Sequence, residues 1–149
     1  VVDADGLNLL ARSPVKRGNW ILTPHPGEAS RLNPDIDVQA DRFAAITAIQ
    51  EKYGGTVVLK GAGTLVKGEQ DQFGLCPYGN PGMSTAGMGD VLAGVIGGVC
   101  AQLPELFTAA QTGVVLHSAA GDLCAERSGQ RGLMATDLIP VVRELINDL

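Results

Sequence analysis

The stretch Gly82-Met-Ser-Thr-Ala-Gly-Met-Gly-Asp90 continues directly into Val91-Leu-Ala-Gly-Val-Ile-Gly-Gly98, so that a glycine-rich loop runs into an apolar helix. The first N–H groups of a helix lack partners within the helix and form a ready binding site for anions. Asp90 stands at the junction, where its carboxylate can take a proton from a hydroxyl while the loop holds a phosphoryl group. The stretch therefore predicts phosphoryl chemistry, with the backbone N–H groups of Ala86, Gly87, Met88 and Gly89 as donors.

Two better-known motifs do not fit this loop. A P-loop requires Lys followed by Ser or Thr, but Met88-Gly89 stands at that place. A nucleophile elbow around Ser84 requires glycine two residues later, where the chain has Ala86. A carboxylate at a helix start is also a common helix cap, and for Asp90 this simpler interpretation stays open on spacing alone.

The composition indicates one globular domain and excludes several classes of partner. The chain has 149 residues, of which 45% are hydrophobic and 18% charged, enough for a hydrophobic core. The net charge of -5 and the lack of a basic cluster argue against nucleic acids and anionic membranes as partners. No apolar run approaches the roughly 20 residues of a membrane span. The three separated cysteines, Cys76, Cys100 and Cys124, form no Cys-x-x-Cys motif and favour a reducing, cytoplasmic setting.

Strand-like and helix-like segments alternate along the chain, which predicts an α/β fold with a mostly parallel sheet flanked by helices. Short apolar strands are predicted at residues 20–22 and 56–60, followed by a hairpin with strands at 65–67 and 73–76. Helices are predicted at residues 7–12, 38–53, 91–101 and 105–127, and from Thr136 onward, the last with Leu138, Val142, Leu145 and Leu149 on one face. Ligands of such sheets bind beyond the carboxyl ends of the strands. We therefore expect the polar motifs of the chain to converge on one crevice.

Two further motifs follow predicted strands. In Thr23-Pro-His-Pro-Gly-Glu28, two prolines stiffen the loop around His25, and Glu28 is suited to a hydrated Mg²⁺, which takes few carboxylates. In Lys60-Gly-Ala-Gly-Thr64, backbone N–H groups can hold a nucleotide phosphate. Simpler interpretations stay open: Glu28 can begin a helix, His25 can be loop surface, and the Gly-x-Gly can be a strand-ending turn.

Three other features are weaker. Asp3, Asp5 and Asn8 cluster at a predicted strand end, where the simpler role for Asp5 is to cap the next helix. His117 lies in an apolar helix, where a core histidine with its hydrogen bonds satisfied is expected. The opening Val1-Val2 reads as part of a buried strand, which favours the chain being a portion of a larger domain.

Together the motifs resemble the ADP-dependent NAD(P)H-hydrate dehydratases, a kinase-like domain of the ribokinase-like superfamily that is often fused to an NAD(P)H-hydrate epimerase. The resemblance covers essentially the whole chain and corresponds to the C-terminal half of the family's domain. It therefore implies that residues 1–149 form a single, incomplete domain. The segments that carry it are Thr23–Glu28, Leu59–Thr64 and Gly79–Ile96, and Val2–Asn8 and Arg131–Leu138 also fit.

The resemblance implies a repair reaction in which hydrated NADH or NADPH is dehydrated at the expense of ADP, or of ATP in some members, with release of AMP and phosphate. It implies that Asp90 is the catalytic base and contacts the hydrated nicotinamide, as does His25. The residues that it assigns to the nucleotide are Lys60, Gly61, Ala62, Gly63, Thr64 and Gly89. Glu28 falls where sugar kinases of the superfamily place a glutamate that organises Mg²⁺. An epimerase domain, fused or separate, is the implied partner.

Two other functions stay open. One is a vitamin or sugar kinase of the same superfamily, although those enzymes commonly carry Asn where His25 stands. The other is a nucleotide-binding module without turnover, which follows if the domain is incomplete. An incomplete sheet also has an unpaired edge, so we expect a homo-oligomer.

Overall fold

The computed structural model describes residues 1–147. These residues form six α-helices, four strands and two short 3₁₀ helices. The helices are α1 (Ala4–Arg12), α2 (Pro26–Leu32), α3 (Arg42–Tyr53), α4 (Met88–Cys100), α5 (Leu106–Ser128) and α6 (Leu138–Asn147). The strands are β1 (Ile21–Leu22), β2 (Thr56–Leu59), β3 (Thr64–Lys67) and β4 (Phe73–Cys76), and the 3₁₀ helices are Pro81–Met83 and Ala135–Asp137.

The sheet has the strand order β1-β2-β3-β4. Strands β1 and β2 are parallel, whereas β2–β3 and β3–β4 are antiparallel, and Val2 adds a parallel bridge to Leu22. The α/β class with a sheet flanked by helices is confirmed, but the pairing is mixed rather than mostly parallel. The reason is that residues 60–63 and 68–72 are too short for the crossover that parallel neighbours require.

Strand β2 lies at the centre of the core and is buried on both faces. Its side chains alternate: Val57 and Leu59 belong to a cluster with α1, α2 and α3, while Val58 belongs to a cluster with α4 and α5. This alternation is the period-two geometry of a strand. Because helices cover both faces, the polar residues that follow β2 emerge at the end of the sheet rather than on its sides.

Helix α3 begins later than the sequence pattern predicts. Its N-cap is Asp41, whose carboxylate accepts a hydrogen bond from the Ala44 N–H, and the helix covers Arg42–Tyr53 rather than 38–53. Asp37, the predicted cap, instead accepts hydrogen bonds from the N–H groups of Gln39 and Ala40 in the preceding turn. Two carboxylates that could cap the helix, Asp37 and Asp41, lie four residues apart, and the tertiary structure selects the second.

The last helix agrees with the sequence in its apolar face. Leu138 is buried and Val142 and Leu145 pack against the same cluster, while Leu149 lies outside the described residues. Thr136 falls within a 3₁₀ turn rather than at an α-helical N-cap. Pro140 lies in the first turn of α6, where its missing N–H costs little.

Cys76, Cys100 and Cys124 are all free thiols. None of the helices within residues 1–147 combines the length and the apolar character needed to cross a membrane.

Candidate active site

The sequence motifs meet in one cleft of about 790 Å³ at the carboxyl ends of β1 and β2, and the predicted convergence is confirmed. The predicted site residues that line the cleft are His25, Glu28, Lys60, Gly61, Ala62, Gly63, Thr64, Gly87, Met88, Gly89 and Asp90. Ala86, whose backbone N–H is predicted to donate to the anion, is exposed and does not line the cleft. Asp3, Asn80, Ser84 and His117 are among the other residues of its walls.

Helix α4 begins at Met88, three residues before the predicted start. Gly87 is its N-cap in the left-handed conformation, with φ of 87°, which favours glycine. The first hydrogen bond of the helix runs from the Val91 N–H to the Gly87 carbonyl oxygen, at 3.0 Å. The N–H groups free to bind an anion are therefore those of residues 87–90. Three of the four predicted donors belong to this set.

Asp90 is the third residue of α4 rather than the residue at its cap. The N-cap Gly87 has no side chain, and no side-chain hydrogen bond caps the helix, so the interpretation of Asp90 as a simple cap is wrong. Its side chain is exposed and faces the cleft. A carboxylate is also stabilised in the first turn by the helix dipole.

Lys60 places a positive charge between two carboxylates and the first turn of α4. Its Nζ donates to Asp3 Oδ1 at 2.8 Å and lies 3.8 Å from Glu28 Oε2. A Cβ on Gly89 would lie 3.2 Å from this Nζ. Glycine at position 89 therefore lets the ammonium group approach the free N–H groups closely. Asp3, which forms no side-chain cap on α1, is thus a cleft residue.

His25 and Glu28 form a capping box at the start of α2. His25 Nδ1 accepts hydrogen bonds from the N–H groups of Gly27 (3.0 Å) and Glu28 (3.3 Å), and Glu28 Oε2 accepts one from the His25 N–H (2.8 Å). A neutral imidazole that accepts at Nδ1 carries its proton on Nε2. The helix-start interpretation is therefore correct, and it also orients a donor along the cleft wall.

The turn at residues 60–64 is held by an arginine that sequence reasoning missed. Arg42, at the start of α3, donates from Nη1 to the Ala62 carbonyl oxygen (2.6 Å) and from Nη2 to that of Leu59 (3.2 Å). Partial burial lowers the pKa of Arg42 from its ordinary value. No local signal could have found it, because the turn lies 17 to 20 residues away along the chain.

His117 is buried under the first turn of α4 and lines the cleft. Burial lowers its pKa to about 4; a backbone hydrogen bond at Met88 opposes this, and the positive charge of Lys60 adds to it. His117 is therefore neutral at pH 7. The predicted core position is confirmed, but its hydrogen bonds are not all satisfied, because the buried Nε2 has no partner within residues 1–147.

Comparison with known sequences gives one consistent family. The sequence profile of the NAD(P)H-hydrate dehydratases matches residues 1–143. The chain is 60% identical to the bifunctional NAD(P)H-hydrate repair enzyme of Coxiella burnetii, over 99% of this chain and 30% of that protein. It is 45% identical to the ADP-dependent (S)-NAD(P)H-hydrate dehydratase of Neisseria meningitidis, over 99% of this chain and 53% of that enzyme. The chain thus spans about half the length of that dehydratase.

Solved structures show the same similarity. The ADP/ATP-dependent NAD(P)H-hydrate dehydratase from Bacillus subtilis, co-crystallised with ATP and Mg²⁺ and soaked with coenzyme A, superposes with a TM-score of 0.88 at 29% identity. The superposition covers 98% of this chain and 54% of that one. A ribokinase-like superfamily protein from Enterococcus faecalis superposes with a TM-score of 0.87 at 28% identity, over 99% of this chain and 51% of that one.

Proposed function

The chain belongs to the NAD(P)H-hydrate dehydratase family, and we propose that the full-length protein dehydrates hydrated NADH or NADPH at the expense of ADP. The observation that carries the proposal is the placement of the Asp90 carboxylate in the same helical turn as the free N–H groups of residues 87–90, with Lys60 beside them. This arrangement combines a base for a hydroxyl with an anion site for a phosphoryl group.

The chemistry follows from these groups. Asp90 takes the proton of the ring hydroxyl while the hydroxyl oxygen attacks the β-phosphorus of ADP, and AMP leaves. The loop N–H groups stabilise the charge on the transferred phosphoryl oxygens. The ring nitrogen then donates its lone pair, the carbon–oxygen bond breaks and phosphate departs. Loss of a proton from the neighbouring ring carbon restores the double bond of the reduced nicotinamide.

The nucleotide is assigned to Gly89 and to the turn from Lys60 to Thr64. In this turn, Gly61 and Gly63 have φ values of 138° and 65°, a conformation that favours glycine. No side chain at these two positions covers the backbone where it lines the cleft. Arg42 holds the turn from outside. The name of the Neisseria relative, an ADP-dependent enzyme, supports ADP as the nucleotide.

The residues present fit a Mg²⁺ that arrives with the nucleotide, and not a metal held by the protein alone. No group of three or more His, Cys, Asp and Glu side chains within residues 1–147 is placed to hold a metal ion. Glu28 offers one buried carboxylate on the cleft wall, and Mg²⁺ commonly binds phosphate oxygens and waters with one or two carboxylates. When bound, the ion would neutralise charge on the phosphates.

His25 is assigned to the hydrated nicotinamide. Its Nε2 lies 3.6 Å from Glu28 Oε1 and the side chain is 51% exposed, while the capping box fixes the orientation of the ring. A fixed donor on the cleft wall suits the carboxamide or hydroxyl oxygens of the substrate.

The wider setting is part of the same proposal. The Coxiella relative is named as bifunctional, and the resemblance assigns the second activity to an NAD(P)H-hydrate epimerase, which we propose as the fused or separate partner. The free thiols favour a reducing compartment. Homo-oligomerisation stays a prediction; the exposed Leu75 on the edge strand β4 is compatible with it.

The test uses the full-length protein with hydrated NADH, ADP and Mg²⁺, following recovery of the reduced-nicotinamide absorbance and release of AMP. We expect turnover by the parent and a loss of kcat by a factor of about 10²–10⁴ in Asp90→Asn, the range for removal of a general base. Asp5→Asn is the matched control, because Asp5 is an exposed carboxylate on α1 that does not line the cleft.

Two outcomes would contradict the proposal. Accumulation of a stable phosphorylated product, with no reduced nicotinamide, would establish a small-molecule kinase. Binding of ADP with no release of AMP in the presence of hydrated NADH would establish a binding module without turnover.

A further inference from the structure

The glycine-rich loop is fixed at its beginning by helix α5. Asp122 Oδ2 accepts a hydrogen bond from the Gly79 N–H at 2.8 Å, and its Oδ1 accepts one from Asn80 Nδ2 at 2.9 Å. Asn80 Nδ2 also donates to the Gly121 carbonyl oxygen at 3.0 Å, and its Oδ1 accepts from the Gly82 N–H at 3.0 Å. The Asn80 amide thus joins α5 to the loop: its nitrogen donates to α5 and its oxygen accepts from the loop.

Packing supports the same attachment. A Cβ on Gly121 would overlap the Met83 sulfur atom, so the missing side chain lets Met83 pack directly on α5. On the other side, a Cβ on Gly82 would lie 2.6 Å from the Gln130 carbonyl oxygen. The 3₁₀ turn at residues 81–83 is therefore confined between α5 and the chain that follows α5.

Helix α5 also fixes the other end of the loop. It crosses α4 closely, because a Cβ on Gly113 would lie 3.0 Å from the Ile96 Cα. Met88, the first residue of α4, lies in one buried cluster with Ala120 and Cys124 of α5. Residues 79–83 and the first turn of α4 are therefore both positioned against one 23-residue helix. The intervening residues 84–87 have no strand or helix of their own, so their placement depends on these two attachments.

We propose that Asp122 is a positioning residue that sets the glycine-rich loop over the cleft, acting through Asn80. Asn80 lines the cleft and Asp122 does not, so Asp122 has no contact with a ligand there. The inference rests on the proposed function for its catalytic consequence, but its structural consequence, the order of residues 82–84, is independent of any activity.

The test compares Asp122→Asn with the parent in the full-length protein. An amide at position 122 keeps the shape of the side chain but offers one acceptor where two N–H donors must be satisfied. We expect faster hydrogen exchange at residues 82–84, whose N–H groups are hydrogen-bonded within the start of the loop. We also expect a fall in kcat on the order of 10–100-fold, as for reacting groups displaced by about 1 Å. We expect the KM for ADP to rise by a smaller factor than kcat falls, because Gly89 lies in the affected loop but the turn at 60–64 is untouched.

A second variant and a matched control keep the test decisive. Asp122→Ala removes both acceptors and leaves the Gly79 N–H and Asn80 Nδ2 without their bonds to position 122, so we expect faster hydrogen exchange and lower kcat than in Asp122→Asn. Glu126→Gln removes an exposed carboxylate one turn further along α5. This variant should match the parent in both hydrogen exchange and kcat.

Three results would overturn the inference: unchanged exchange at residues 82–84 in Asp122→Asn, an unchanged kcat, or effects in Asp122→Ala that are no larger than in Asp122→Asn. A parent protein that shows no turnover contradicts the proposed function instead, and the hydrogen-exchange arm still decides the role of Asp122.

Discussion

The charge state of one buried cleft residue, His117, makes the stability of the folded chain depend on pH. Its pKa is about 4 in the folded chain, against 6.5 as its ordinary value, because burial disfavours the imidazolium. Between these two values the unfolded chain binds more protons than the folded one, so stability falls as the pH decreases. The stability is fully present above about pH 6.5 and is lost progressively down to about pH 4.

We expect His117→Gln to reduce this pH dependence. The shift corresponds to about 3 kcal/mol at 1.36 kcal/mol for each pH unit, so between pH 7 and pH 4 the variant should lose about 2–3 kcal/mol less of its free energy of unfolding than the parent. Denaturant titrations at several pH values measure this change in the free energy of unfolding. Ser118→Ala, at the neighbouring cleft residue that does not titrate, should show the same dependence of the free energy of unfolding on pH as the parent. An identical slope in His117→Gln would show that the imidazole is not buried in its neutral form.

Individual site residues were predictable where the chain carries them in compact motifs. Asp90, Lys60 and His25 stand within short runs of glycine and proline, and such runs are visible in the sequence. Arg42 and Asp122 act on loops that are 17 to 43 residues away, and each sits in an ordinary helical context. Their roles depend on which helices pack beside which loops, and this is a tertiary property.

At the level of elements, the contact between α4 and α5 depends on one glycine. A Cβ on Gly113 would lie 2.7 Å from Ile96 Cγ1 and 3.0 Å from its Cα. Gly97, on the same pair of helices, has no such neighbour within 4 Å and is exposed. Alanine substitutions at positions 113 and 97 therefore distinguish the effect of close helix packing on stability from the effect of helix propensity.

We expect Gly113→Ala to lower the free energy of unfolding by about 1–3 kcal/mol, because the helices must separate. Gly97→Ala should raise it by about 0.5–1 kcal/mol, since alanine is the better helix former. Urea unfolding followed by circular dichroism measures both in the full-length protein. Equal effects at the two positions would contradict the close approach.

Element types were predicted better than element ends. The α/β pattern, the hairpin and five of the six helices of residues 1–147 follow from apolar periodicity, which local residues carry. Helix α2 was raised only as the simpler interpretation of Glu28. The start of α4 depends on the left-handed Gly87, and several glycines of the loop could have taken that role. The start of α3 depends on a choice between Asp37 and Asp41, both suitable caps, which packing against the sheet decides.

On the scale of the whole molecule, the cleft is assembled from residues as far apart as Asp3 and Ser118. Its walls come from the ends of β1 and β2, the turn at residues 60–64, the glycine-rich loop and α5. No single segment forms it, so a ligand in the cleft binds only the folded chain. Ligand binding must therefore stabilise the molecule as a unit.

We expect ADP with Mg²⁺, at a free concentration 100 times its Kd, to raise the free energy of unfolding by about 2.7 kcal/mol. Asp90→Asn should show the same increase, because Asp90 is assigned to the substrate. Lys60→Met should show a smaller one at the same ADP concentration, since it removes the cation beside the free N–H groups and leaves Asp3 and Glu28 without their partner. Lys16→Met, at an exposed lysine outside the cleft, is the matched control. Denaturant unfolding with and without ADP decides the assignment: an undiminished increase in Lys60→Met would place the nucleotide elsewhere, and a loss in Asp90→Asn would move Asp90 to the nucleotide side of the cleft.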